Sequence, residues 1–214
     1  MNRWFAIFCL LLALPSFAVV LRHENNLVIG ADQVINDDLV VSGNSVQILG
    51  RVTGDLVVAG GNVDARGPVG GDVIVAGGTA NIAGPVSGSL YAAGGTVILS
   101  STVGRNAVIA GGTVNCEHGA KITRDLAIQA GNATLAGTVG RDVLASAGGL
   151  LLTNTARVNR DLIATTPTKA PVAAGAVIGG RQVIEQPVHA RGRHHRPWRR
   201  LFGSLFFGIS LLLV

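Results

Sequence analysis

Aromatic side chains are nearly missing from this sequence: nine of its 214 residues are Phe, Trp or Tyr, and Tyr91 is the sole one between residues 19 and 197. Any core must therefore be built from Val, Ile, Leu and Ala, and the chain offers almost no ring on which a sugar could stack. Cysteine is reduced to Cys9 and Cys116, which rules out a disulfide-stapled scaffold. Charged residues make up 14%, well under the quarter usual for globular domains, while mean hydropathy is +0.47. A disordered polyelectrolyte is thereby excluded.

Histidine is just as sparse where chemistry would need it. Of His23, His118, His189, His194 and His195, only His118 falls within the body, so three imidazoles cannot meet there around a zinc ion. A β-solenoid enzyme of the acyltransferase type, with its catalytic histidine, or of the lyase type, with clustered carboxylates, finds no such constellation here. The sequence predicts no enzyme, no catalytic residue, no cofactor and no metal site.

What is abundant is glycine, 30 residues, and it is periodic. Rows of 17 residues begin at Asp38 (DLVVSGNSVQILGRVTG), Asp55 (DLVVAGGNVDARGPVGG), Asp72 (DVIVAGGTANIAGPVSG) and Ser89 (SLYAAGGTVILSSTVGR). The pattern continues from Asn106, Asp125, Asp142 and Asp161, with two extra residues in the rows starting at Asn106 and Asp142. Each row holds three apolar pieces separated by Gly-rich corners, which predicts an all-β, single-stranded parallel β-solenoid of triangular section, with about 17 residues per turn and about eight turns. At ~4.8 Å per layer the rod would be roughly 38 Å long. One row cannot offset the entropy of ordering its own backbone; stacked neighbours must share ladders and side-chain columns.

Period-two alternation assigns the faces. The inward columns are led by Leu39, Leu56, Val73, Leu90, Ala107, Leu126, Val143 and Leu162, with Val46/Ile48 and Val52 as their counterparts on the second and third faces. Cys116 falls in an inward column and reads as a small buried hydrophobe. The Asp at most row starts interchanges with Ser89 and Asn106, which is turn chemistry and not a calcium ladder. The Gly pairs recur once per row at a corner, so they are corners and not phosphate loops.

One outward column stands apart. Val40, Val57, Ile74, Tyr91, Val108, Ala127, Leu144 and Ile163 contain no charge, and such a stripe marks a contact surface. Two readings are open: the stripe associates with another copy, or residues 166–187 fold over it.

The net charge of +5 is concentrated at the chain ends, in Arg3 and in Arg191, Arg193, Arg196, Arg199 and Arg200; residues 19–190 hold 11 basic and 12 acidic groups, a net of −1. A neutral body with a basic tail is not a nucleic-acid footprint. Residues 1–18 (MNRWFAIFCLLLALPSFA) carry a basic start, an apolar run and a small-x-small end at Ser16 and Ala18, the pattern of a secretory signal peptide. Residues 19–37 are expected as an N-terminal partial rung or cap, 38–165 as the solenoid and 166–187 as an irregular closing segment. A basic juxtamembrane linker (188–200) and a hydrophobic segment (201–214) would follow, with Arg191, Arg193, Arg196, Trp198, Arg199 and Arg200 flanking a membrane. The predicted location is exported and membrane-associated. Its partners would be other copies of the chain, the membrane through the tail, and cell-wall or envelope components, without nucleic acid.

The rows GDLVVAGGNVDARGPVGGDVIVAGGTANIAGPVSGSL and TVGRDVLASAGG resemble the bactofilins, the polymer-forming cytoskeletal proteins of bacteria, over about residues 36–165. The resemblance implies a right-handed triangular β-helix that assembles end to end into filaments without nucleotide and serves as a membrane-associated scaffold. With its leader and tail the chain reads as an exported, membrane-anchored relative. An envelope adhesin or glycan-binding solenoid is the alternative.

Overall fold

The computed structural model describes residues 19–167 and 171–186. They form a parallel β-solenoid of about nine turns, about 17 residues apart. Seven long strands, Asp38–Ile48, Leu56–Ala65, Val73–Ile82, Leu90–Leu99, Ala107–Cys116, Leu126–Leu135 and Val143–Leu152, lie side by side in that order. Their register follows the repeat, as in Leu56↔Val73↔Leu90↔Ala107.

Each long strand spans two of the three apolar pieces that the sequence separates. Gly60, Gly77, Gly94 and Gly111 stay aligned and the ladder resumes at Asn62↔Thr79, so the first corner is a bend within a strand and not a loop. The bend changes parity: Leu56 and Val58 point inward before it, Val63 and Ala65 after it. A side chain has no room there; a Cβ at Gly94 would lie 2.6 Å from the Gly77 carbonyl oxygen.

The third face is carried by short strands, among them Thr102–Val103, Lys121–Ile122, Thr138–Val139, Arg157–Val158 and Val177–Ile178, stacked in one parallel sheet. Isolated bridges Val52↔Val69↔Val86↔Val103 prolong that ladder through the tighter rows. Two extra residues of each longer row fall at the corner before this face, and the 20-residue row from Asp161 has one more before Val172. Each such pair closes a four-residue turn, with the Gln33, Ala120, Ala156 and Ala176 N–H groups donating to the carbonyls of Gly30, Glu117, Thr153 and Ala173. His118 sits exposed in one of these turns.

Every inward position named from the alternation is buried, from Leu39 and Leu56 to Leu162 and Ala164. Cys116 is fully buried among them, and burial pushes its thiol up to about 12. The stack also reaches further than the eight rows. Val19–His23 and Asn26–Ile29 pair with Asp38–Ile48, so residues 19–37 form a paired layer with Leu27 and Ile29 buried in it. At the other end Val177–Ile178 and Gln182–Glu185 pair with Arg157–Val158 and Leu162–Thr165, so the expected irregular closing segment holds a closing row from Ala176. The predicted signal peptide, basic linker and hydrophobic segment lie outside the described residues. Among the described residues no helix is long and apolar enough to cross a membrane.

Candidate self-association surface

The apolar stripe is a single straight column. Val40↔Val57↔Ile74↔Tyr91↔Val108↔Ala127↔Leu144↔Ile163 are consecutive register partners. The backbone register extends the column to Leu21 at one end and Val183 at the other, neither of which the row alignment had included. Its first six members are half-buried by their neighbours above, below and beside, as expected for aliphatic groups stacked at one layer spacing. Exposure is higher in the last three layers, 49% at Leu144, 40% at Ile163 and 38% at Val183.

The described part of the closing segment does not cover this stripe. Residues 171–186 add a further layer to the end of the stack, carrying Val183 into the column. Of the two readings of the stripe, folding-over therefore finds no support among the described residues.

Beside the stripe runs the corner where the rows start, and its aspartates serve the backbone. The N–H groups of Asp55, Asp72 and Ser89 donate to Oδ1 of Asp38, Asp55 and Asp72 at 2.8, 2.7 and 2.8 Å. Further along, the Asp125, Asp142 and Asp161 N–H groups donate to Asn106, Asp125 and Asp142 at 3.3, 3.2 and 3.1 Å, and the Arg181 N–H to Asp161 at 2.8 Å. At every step from Asp38 to Arg181 except that from Ser89 to Asn106, the side chain of one layer thus accepts the corner N–H of the next, the turn chemistry that interchangeable Asp and Asn predict. No group of three His, Cys, Asp or Glu side chains among the described residues is arranged to hold a metal ion.

The residue before each row start sets the tightness of that bond. Gly54, Gly71 and Gly88 lie against the Asp38, Asp55 and Asp72 carboxylates, each of which occupies the place a Cβ would take; Gly180 does the same beneath Asp161. Arg105, Arg124, Arg141 and Arg160 hold this position in the intervening rows. Where Arg124, Arg141 or Arg160 precedes, the Cβ pushes the carboxylate or amide oxygen outward, and the bond lengthens by a few tenths of an ångström. The guanidinium offers a partner instead: Arg141 stands 3.6 Å from Asp125, Arg160 3.6 Å from Asp142, and Arg105 reaches past Ser89 to Asp72 at 2.8 Å. Asp161, fixed by the Arg181 N–H first and its guanidinium second, is held below the usual carboxylate range.

This arginine column was missed in the sequence, because the 19-residue rows break the strict period. Spacing measured from each row start, not from the residue number, would have found it. The second-face outward column is mixed. Asp64 accepts from Asn81 Nδ2 at 2.8 Å and pairs with Arg66, a local network without a second carboxylate. At the C-terminal end Ile178 and Ile184 are only half-buried and Gln182 is exposed, although all three occupy inward columns. The membrane-flanking residues Arg191, Arg193, Arg196, Trp198, Arg199 and Arg200 lie outside the described residues.

What the arrangement can do chemically is adhere. An uncharged column about ten layers long is set against a corner whose Asp and Asn oxygens accept backbone N–H groups of the stack. No family model matches the chain, and neither a curated protein nor a solved structure matches it.

Proposed function

We propose that this protein is a non-enzymatic, bactofilin-like polymer-forming scaffold of the bacterial cell envelope, which associates with its own kind through the apolar stripe and through the ends of the solenoid. In this reading residues 1–18 direct export, the rod has a triangular section, and the basic and hydrophobic residues beyond 187 hold it to the membrane. The observation that carries the reading is the column from Val40 to Ile163, which no described segment covers and which becomes most exposed at Leu144 and Ile163. A contiguous apolar patch of this kind marks an interaction surface on a protein that remains in solution. The half-buried Ile178 and Ile184 add an open ladder end that accepts further strands.

The test is electron microscopy and light scattering of the full chain in detergent, beside the variant Val57→Glu/Val108→Glu. Filaments or ordered bundles in the native chain, lost in the variant while its β-type circular dichroism persists, are the expected result. Monodisperse rods in both preparations would overturn the scaffold, and glycan affinity of such rods would favour the adhesin.

A further inference from the structure

The stripe has two unlike borders. From Ser42 through Ala93 and Gln129 to Thr165 the far side carries consecutive register partners without charge, and its two terminal layers add His23 at one end and Glu185 at the other. On the near side runs the row-start corner, and its charge reverses along the rod. Over the first layers it carries Asp37, Asp38, Asp55 and Asp72, of which Asp72 alone meets a cation, Arg105; over the last, Arg105, Arg124, Arg141, Arg160 and Arg181 outnumber Asp125, Asp142 and Asp161. The body repeats the asymmetry, with three basic and seven acidic groups in residues 19–104 against eight and five in residues 105–186.

Symmetry turns this into an orientation. A pair of identical rods meeting through one face is related by a two-fold axis. If the axis runs along the rods, each charged border meets the partner's neutral one, and acidic and basic halves lie level with their own kind. If it crosses the rods within the contact plane, the charged borders meet with their ends reversed. Only the second arrangement sets acid against base, the complementarity that fixes register and suppresses wrong pairings.

We propose that the occupant of the stripe is a second copy of this chain laid antiparallel. The proposal rests on the self-association reading and adds to it a direction and a register. The column has ten positions, from Leu21 to Val183, so its centre falls between Tyr91 and Val108. Val57 then faces Leu144 of the second copy, and the Asp38, Asp55 and Asp72 layers face those of Arg160, Arg141 and Arg124. Arg124 forms no ion pair among the described residues, and in this pairing its guanidinium gains the Asp72 layer.

Disulfide trapping tests the direction. In the full chain with Cys9→Ser, Val57→Cys and Leu144→Cys are made separately, one of them tagged, then mixed and oxidised; buried Cys116 stays silent. The mixed disulfide is expected to dominate. Two copies of residue 57 would lie five layers, about 24 Å, apart, and a disulfide needs Cα atoms within about 7 Å. Dominant Val57→Cys homodimers would mean parallel rods and overturn the proposal, as would the absence of either product. If Val57→Glu/Val108→Glu still dissolves the native assembly in those cases, the stripe reading survives and only the direction or register is wrong; if it does not, both fall. As a second arm, Asp38→Asn/Asp55→Asn/Asp72→Asn removes the acidic border while keeping the corner acceptors, as Asn106 does naturally. Lateral association should weaken at low ionic strength and lose its salt dependence; an unchanged salt response overturns the charge argument.

Discussion

The first four rows and the later ones build the row-start corner differently, and the 17- and 19-residue rows differ at the corner before the third face. From Asp38 to Arg105 every turn takes 17 residues and glycine precedes Asp55, Asp72 and Ser89, so the polar oxygen of one layer packs directly on the next and the bond is 2.7–2.8 Å. From Asn106 onward arginine precedes Asp125, Asp142 and Asp161, the bond stretches to 3.1–3.3 Å, and guanidinium groups compensate beside it. At the corner before the third face the 17-residue rows have Gly50, Gly67, Gly84 and Gly137, with Ser101 in the fourth row, while the 19-residue rows have Ala120 and Ala156 after an inserted turn. Close approach and added side chains are alternatives, and one stack accommodates both.

Overfilling the two versions of that third-face corner gives the widest contrast. In Gly67→Val a Cβ meets the Gly50 backbone carbonyl, which cannot swing aside, so the early rows should lose cooperative folding, a cost above about 4 kcal/mol. Ala120→Val adds volume where a side chain already sits and should cost about 1–3 kcal/mol. Urea unfolding followed by circular dichroism compares them, and equal losses would dissolve the distinction.

A smaller effect is expected at the row-start corner. Asp55→Ala deletes the acceptor of a 2.7 Å bond to the Asp72 N–H and should cost about 1 kcal/mol, whereas Asp125→Ala, losing a longer bond, should cost about half of that. Equal midpoint shifts, or a larger one at Asp125, would show that the ion pair with Arg141 outweighs the bond length.

The mildest prediction concerns pH. Because the carboxyl of Asp161 titrates lower in the folded chain than in the unfolded one, its contribution is complete above the ordinary carboxylate range and fades as pH falls through the lowered value. Exchange of the Arg181 amide should quicken over that acidic window, and Asp161→Asn should remove the dependence. The same measurement at the Asp142 amide, beside an arginine instead of a glycine, sharpens the comparison.

The inward columns were legible because alternation and a fixed row length act together: Leu56, Val73 and Leu90 share a phase that only stacking explains. The apolar stripe was legible for the same reason. The first layer was legible only as a partial rung or cap, because Val19–Asp37 lacks both the Asp start and the Gly pair. The last was legible only as a closing partial row from Ala176, its register obscured by Pro167, Pro171 and a 20-residue step from Asp161 to Arg181. The continuous strand through the first corner could not be read either, since glycine pairs signal a break, and here the hydrogen-bond ladder continues across them.

The row-start bonds all point one way, with the earlier layer supplying the oxygen and the later one the amide. The series closes at Arg181, which follows Asp161 and presents a cation where the next acceptor would stand. A rod docking on that terminus would meet Arg181 at the corner instead of a side-chain acceptor, so a joint between molecules lacks a tie that most steps inside a molecule possess. Pulled lengthwise, a chain of such rods should part at its seams before any one rod unravels.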